Sequence, residues 1–199
     1  LGADGLLSVG CDSKQGFGDH RLHLEFRTPF MPSASGQGRG NSGVYVQGRY
    51  ECQVLDSFGL VGRQNECGGV YSIAAPIVNA CLPPGQWQTY DIEFKAARWN
   101  GAEKSQDARM TVHLNGILVH DDVALTHATT AAKRPEADSA GGLYLQDHGN
   151  PVSYRNIWAV EDRGEYVRKA VFLSGGPSHG YASHEHRAGC MLLADAINA

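Results

Sequence analysis

The stretch His20-Arg21-Leu22-His23-Leu24-Glu25-Phe26-Arg27 decides the fold class. His20, Leu22, Leu24 and Phe26 alternate with Arg21, His23, Glu25 and Arg27, and a period of two places one set on each face of a half-buried strand. The same alternation recurs over residues 43–47, 49–55, 87–94, 109–114, 143–146 and 152–160. Turn chemistry separates these runs: Gly36-Gln37-Gly38-Arg39-Gly40-Asn41, Pro83-Pro84-Gly85, and the two-residue hairpin signal Asn115-Gly116. Several short strands at this spacing predict an all-β protein built as a two-sheet antiparallel sandwich or jelly roll. Residues 126–140, rich in Ala, Thr and charge and without period, are expected to form an exposed loop between two strands.

The chain has 199 residues, enough for one domain with a sizeable core. Its 25 glycines and 8 prolines stay well below the roughly 25–30% that marks disordered chains, and 42% hydrophobic residues suffice for a globular interior. Seventeen basic residues against 21 acidic ones give a net charge of −4. No segment collects Lys and Arg, so neither a nucleic-acid footprint nor a polybasic membrane patch is expected. No apolar run approaches the roughly 18 residues that span a bilayer, so no membrane insertion is expected either.

The five cysteines (Cys11, Cys52, Cys67, Cys81, Cys190) show neither a CxxC pair nor a Cys/His zinc spacing. A disulfide between Cys67 and Cys81 would close a loop of about 15 residues, worth about 3 kcal/mol in the chain-entropy picture. The alternative is two free thiols.

The densest polar set on a predicted strand is Tyr50-Glu51-Cys52-Gln53-Val54-Leu55-Asp56, where alternation turns Glu51 and Gln53 to the same side. A lone Glu-x-Gln reads best as the solvated face of an edge strand. Asn41 just upstream and the aromatic rings of Tyr45, Tyr50 and Tyr71 shift the balance. Amides and carboxylates beside aromatic faces suit a sugar, which offers hydroxyls at its rim and C–H patches on its faces. A second set is Leu145-Gln146-Asp147-His148-Gly149-Asn150-Pro151 at a strand end, where His148 has the side chain suited to general-base work near neutral pH. Its plainer reading makes Asp147 and Asn150 turn formers and leaves His148 packed on a loop. Trp87, Trp99 and Trp158 are candidate stacking platforms, with Trp158 expected in the core.

After residue 160 the pattern changes. Residues 161–169 read as a charged linker, 170–173 as a short apolar strand, and 188–198 as a helix carrying Cys190, Leu193, Ala194 and Ile197 on one face. His179, His184 and His186 lie close together, but their spacing favours a loop over shared ligation.

Four ordered blocks carry a resemblance: Phe17-Gly18-Asp19-x-Arg21-Leu22-x-Leu24-Glu25-Phe26, Gly40-Asn41-Ser42-Gly43-Val44-Tyr45, Tyr50-Glu51-x-Gln53-Val54-Leu55-Asp56-Ser57, and Leu145 to Pro151 with Arg155-Asn156-Ile157-Trp158. Together they resemble the 3-keto-disaccharide hydrolase family over residues 1–160. The resemblance implies a concanavalin-like jelly roll with an opening strand expected before Asp4. The tail, Val171-Phe172-Leu173-Ser174-Gly175-Gly176-Pro177-Ser178-His179-Gly180 with His184-Glu185-His186, resembles the start of a ThuA-like trehalose-utilisation domain. The chain therefore reads as part of a longer two-domain protein, with the remainder of the ThuA-like domain as a covalent partner.

The family resemblance implies action on glycosides whose C3 hydroxyl has been oxidised to a ketone, by C2 deprotonation, elimination and hydration. Such chemistry needs a base, an acid for the leaving oxygen and an electrophile for the enolate. His148 is expected as base and Glu51 as acid or metal ligand, with Asn41, Gln53, Tyr71 and Gln146 binding the substrate. No cofactor is required by the motifs; a divalent cation bound through Glu51 or Asp147 is an open alternative. A sugar-scavenging role implies export to the periplasm or the extracellular space, where Cys67 and Cys81 would be bonded and Cys11, Cys52 and Cys190 free. The rival reading is a non-catalytic, lectin-like carbohydrate-binding module. A conventional two-carboxylate glycosidase is disfavoured, because Glu51, Gln53 and Leu55 stand where such an enzyme has Glu-x-Asp-x-Glu.

Overall fold

The structure, a computed structural model, describes residues 1–162 and the backbone of residues 169–173. In chain order its strands are β1 (Cys11–Phe17), β2 (His20–Arg27), β3 (Ser42–Val46), β4 (Tyr50–Val54), β5 (Gln88–Lys95), β6 (Arg98–Asn100), β7 (Glu103–Gln106), β8 (Ala108–Leu114), β9 (Ile117–Leu125), β10 (Gly141–Asp147), β11 (Ser153–Glu161) and β12 (Lys169–Leu173). They form a four-stranded sheet, β1-β10-β3-β4, and a six-stranded sheet, β12-β11-β2-β5-β8-β9, with β6 and β7 as a separate hairpin. All pairings are antiparallel, and the architecture is the expected all-β jelly-roll sandwich. No helix among the described residues is long and apolar enough to cross a membrane.

The core lies between the sheets. Leu22, Leu24 and Phe26 of β2 and Tyr90, Ile92 and Phe94 of β5 meet Val44, Val46, Cys52 and Val54 from β3 and β4, all buried. The alternation in 20–27 therefore has its stated effect: its apolar set faces inward and its charged set outward. Asn115 and Gly116 both adopt positive φ, 55° and 76°, as the tight β8–β9 hairpin requires.

Several expectations change. Trp158 is half-buried on the outer face of the six-stranded sheet, its ring stacked on His23 with centroids 5.1 Å apart. It leaves the core because Ile157 and Ala159 on either side take the inward positions. Trp87 lies outside as well, under the guanidinium groups of Arg155 and Arg27 at 3.9 and 4.8 Å from its ring centroid. Residues 126–140 form the expected, largely exposed loop between β9 and β10, and that loop is fastened down. Thr129 is buried and its N–H donates to Arg49 O, Lys133 N–H donates to Gly48 O, and Arg49 donates to the carbonyls of Pro135 and Ser139. Buried Arg49 also donates to Gln47 Oε1 and Ser139 Oγ, so its guanidinium is satisfied and the segment is fastened over the β3–β4 turn.

Cys67 and Cys81 are free thiols rather than a disulfide, as are Cys11 and Cys52. The Cys67 and Cys81 side chains hydrogen-bond to each other, and that contact together with full burial pushes the Cys67 thiol up. The strand expected at 170–173 is present as β12 and pairs with β11, which itself runs through Glu161. The helix expected at 188–198, Cys190, the three histidines His179, His184 and His186, and the rest of the ThuA-like start lie outside the described residues.

Candidate active site

The site grows out of the register of the four-stranded sheet. Tyr144 of β10 stands opposite Tyr45 of β3, and Tyr45 opposite Glu51 of β4. Cys52 bridges Val70, and Tyr71 N–H donates to Glu51 O, so Tyr71 continues the same row. One step along the strands, Gln146 stands opposite Gly43 and Gly43 opposite Gln53. Period two puts both rows on the face turned away from the core, because Val44, Cys52 and Leu145 between them are core residues. Glu51 and Gln53 thus share a face, as alternation predicts. They are not solvated, being 3% and 1% exposed.

Gly43 is the reason the two rows fit together. A Cβ built there would lie 2.2 Å from Glu51 Oε1 and 2.9 Å from Tyr45 Cε2, so the carboxyl occupies the space a side chain would fill. Glycine weakens a strand, and its presence in the interior of one marks such a close approach. Gln146 Nε2 donates to the Tyr45 hydroxyl at 3.1 Å, and the Tyr45 hydroxyl hydrogen-bonds in turn to the Glu51 carboxyl. Burial pushes the Glu51 carboxyl up to about 7, with the Tyr45 bond holding it back from rising further. Burial also raises the Tyr45 hydroxyl, helped by the neighbouring Glu51 charge. A carboxyl poised near neutrality can give or take a proton at ordinary pH.

The next residue along β3 on this face is Asn41. Its N–H donates to Asn150 Oδ1 at 2.8 Å, which ties the 147–150 turn to the start of β3. Asn41 Nδ2 donates to Gln37 O at 2.7 Å, and Gln53 Nε2 donates to Gln37 Oε1 at 2.9 Å. Asn41 Oδ1 and Gln53 Oε1 are buried and have no partner. β10 ends at Asp147, which pairs with Ser42 at the start of β3, and His148 is the next residue of the chain. His148 is exposed, so its ring is open to solvent.

The sequence-predicted residues Glu51, Gln53, Asn41, Gln146 and Tyr71 are therefore gathered on one face, and His148 follows the end of the strand that carries Gln146. Asp147 is not among them. It pairs with Ser42 on the alternate register position, and its Oδ1 accepts from Gly149 N–H at 2.8 Å as a turn former. Glu51 and Asp147 thus stand on opposite faces, and no group of three His, Cys, Asp or Glu among the described residues could hold a metal ion. Sequence reading missed three participants. In the sequence Tyr45 reads only as a neighbouring ring, Gln37 only as a turn residue, and Gly43 only as part of a motif block, although a glycine inside an alternating strand is the signal for a close approach.

The sequence profile of the 3-keto-alpha-glucoside-1,2-lyase-like domain matches residues 11–160. Among solved structures, a "putative glycosyl hydrolase" of Parabacteroides distasonis ATCC 8503 is 33% identical, with TM-score 0.72 over 80% of this chain and 72% of that one. Two further proteins of the same organism, described in the same words, are 19% and 16% identical with TM-scores of 0.55 and 0.54. They cover 80% and 77% of this chain and 88% and 75% of their own, and at such identity they show the fold alone. Comparison with curated proteins returns no match.

Proposed function

The chain belongs to the 3-keto-alpha-glucoside-1,2-lyase-like family, and from that premise we propose that it cleaves glycosides carrying a ketone at C3, using the Glu51 pocket. The observation that carries the reading is Glu51 itself. It is a buried carboxyl held at about 7, hydrogen-bonded to a tyrosine on a face otherwise lined by tyrosines and amides. A group placed to hold a surface ion pair would be exposed and fully ionised; this one is set for proton transfer.

The C3 ketone acidifies the C2–H bond. A base removes that proton to give an enolate, whose electron pair then forms the C1–C2 double bond as the C1–O bond breaks. The leaving oxygen takes a proton, and water adds across the double bond, returning hydrogen to C2 and placing hydroxyl on C1. In this scheme His148 takes the C2 proton and Glu51 supplies the proton to the leaving oxygen. Asn41, Gln53, Gln146 and Tyr71 hold the ring and its hydroxyls.

The test is incubation with a 3-keto disaccharide and with its unoxidised parent. Cleavage of the first alone supports the reading. His148→Ala should then lose turnover while keeping the fold and most of the sugar affinity, because removing a base acts on the transition state more than on ground-state binding. Full activity in that variant would move the base role to Glu51. Binding of either sugar without cleavage would make the domain a carbohydrate-binding module.

A further inference from the structure

Gln37 lies in the Gly36–Gly38 turn, outside both sheets, yet it contacts two of the buried amides of the pocket. Its own orientation is fixed by a backbone carbonyl. Gln37 Nε2 donates to Asn65 O at 2.8 Å, and a carbonyl can only accept, so Gln37 Oε1 must face the pocket amides. The amide orientations of Asn41 and Gln53 follow by the same logic. Asn41 turns its nitrogen to Gln37 O at 2.7 Å and to Gln37 Oε1 at 3.3 Å. Gln53 turns its nitrogen to Gln37 Oε1 at 2.9 Å and to Asn65 O at 3.4 Å. Both nitrogens are used in these bonds, and the two oxygens left over, Asn41 Oδ1 and Gln53 Oε1, are buried without a partner among the described residues.

From this geometry we infer that Gln37 is a positioning residue that makes Asn41 and Gln53 a pair of hydrogen-bond acceptors, so that the pocket selects hydroxyl donors and turns away a carbonyl at that end. A buried acceptor without a donor is destabilising, and the fold carries two of them on amides that share Gln37 as a partner. A sugar hydroxyl satisfies such an oxygen; a ketone oxygen, which only accepts, would face it in repulsion. The inference rests on the proposal that the pocket takes a 3-keto glycoside and adds an orientation to it. The C3 ketone points away from Asn41 and Gln53, and the hydroxyls on C4 and C6, which take no part in the elimination, face them. The turn that carries Gln37 is held in place independently of any ligand, since Arg39 donates through Nε and Nη2 to Asp56 O at 3.2 and 2.9 Å.

The experiment compares binding of methyl glucopyranoside, its 4-deoxy-4-fluoro and 6-deoxy-6-fluoro analogues, and the 3-keto derivative of each, to the wild-type chain and to Gln37→Met and Gln37→Glu. Fluorine matches a hydroxyl in size but cannot donate. The wild type should bind at least one fluoro analogue about tenfold or more weakly than the parent. Gln37→Met removes the acceptor that holds Gln53 Nε2 and leaves Asn41 Nδ2 on the main-chain carbonyl of residue 37, so it should bind the parent more weakly and lose the part of that discrimination that Gln53 supplies, raising KM with little change in kcat. Gln37→Glu keeps an acceptor oxygen toward both amide nitrogens and should retain the discrimination. Equal binding of both fluoro analogues by the wild type, or undiminished discrimination in a folded Gln37→Met, overturns the inference. Binding of none of these sugars overturns it together with the functional reading. Discrimination without turnover of the keto sugar overturns only the chemistry.

Discussion

The outer faces of the two sheets have the same sequence pattern, polar residues at every second position, and opposite physical characters. On the six-stranded sheet the polar groups stay in water and pair with one another: Arg155 with Glu25 at 2.6 Å, His23 with Asp91 at 2.7 Å, Arg21 with Glu93 at 3.4 Å. Burial works against ionising Glu25, but the hydrogen bonds from Arg155 and Asn156 outweigh it and lower its pKa. On the four-stranded sheet the carboxyl is buried beside tyrosines and amides, no cation among the described residues pairs with it, and its pKa goes up. The difference teaches that a polar face becomes a site when it is desolvated without being neutralised, which leaves groups whose requirements only a ligand can meet.

The largest expected effect is on catalysis. Glu51→Gln keeps the shape of the buried side chain and removes its proton chemistry, so kcat for a 3-keto disaccharide should fall by about 10²–10⁴ in steady-state assays. A loss below tenfold would reduce the two faces to a structural contrast. Gly43→Ala should come next, because the new methyl lands where Glu51 Oε1 now stands. Displacing the carboxyl should cost about 100-fold in kcat/KM, and urea unfolding should show a loss of about 1–3 kcal/mol.

The contrast also has a pH signature. The folded value of Glu51, about 7, lies above its ordinary 4.5, so the unfolded chain ionises first. The stabilising contribution of this group is complete below pH 4.5 and is lost as pH rises toward and through 7. Glu51→Gln should therefore be more stable than the wild type at pH 8, by up to about 3 kcal/mol, with the difference vanishing near pH 4. Urea titrations at the two pH values measure it. The smallest effect is expected on the other sheet, where Arg155→Gln should change stability by no more than about 1 kcal/mol and leave turnover unchanged. A tenfold activity loss there would place part of the site on the wrong face.

Much of the sandwich is legible in the chain because alternation is a local property. Each of the runs at 20–27, 43–47, 49–55, 87–94, 109–114 and 143–146 became a strand with its apolar set inward, and 152–160 did so up to an irregularity between Arg155 and Trp158, past which the faces exchange. β1 was missed because Cys11-Asp12-Ser13-Lys14-Gln15-Gly16 has almost no apolar face to betray it, and β6 and β7 because they are short and largely exposed. Trp158 was misplaced because aromatic size suggests a core, whereas the inward places on β11 had gone to Ile157 and Ala159.

By itself the sequence determined which residues share a strand and a face, and hence that Glu51 and Gln53 point the same way. Only the tertiary structure decided that this face would be the dry one. Cross-strand register set Gly43 opposite Gln53 and Tyr45 opposite Glu51, and the turn at 36–38 brought Gln37 onto amides 4 and 16 residues away. Period two fixes the side of a sheet on which a residue lies; desolvation, which moves the Glu51 proton and strands the two amide oxygens, depends on what other segments lay across that side.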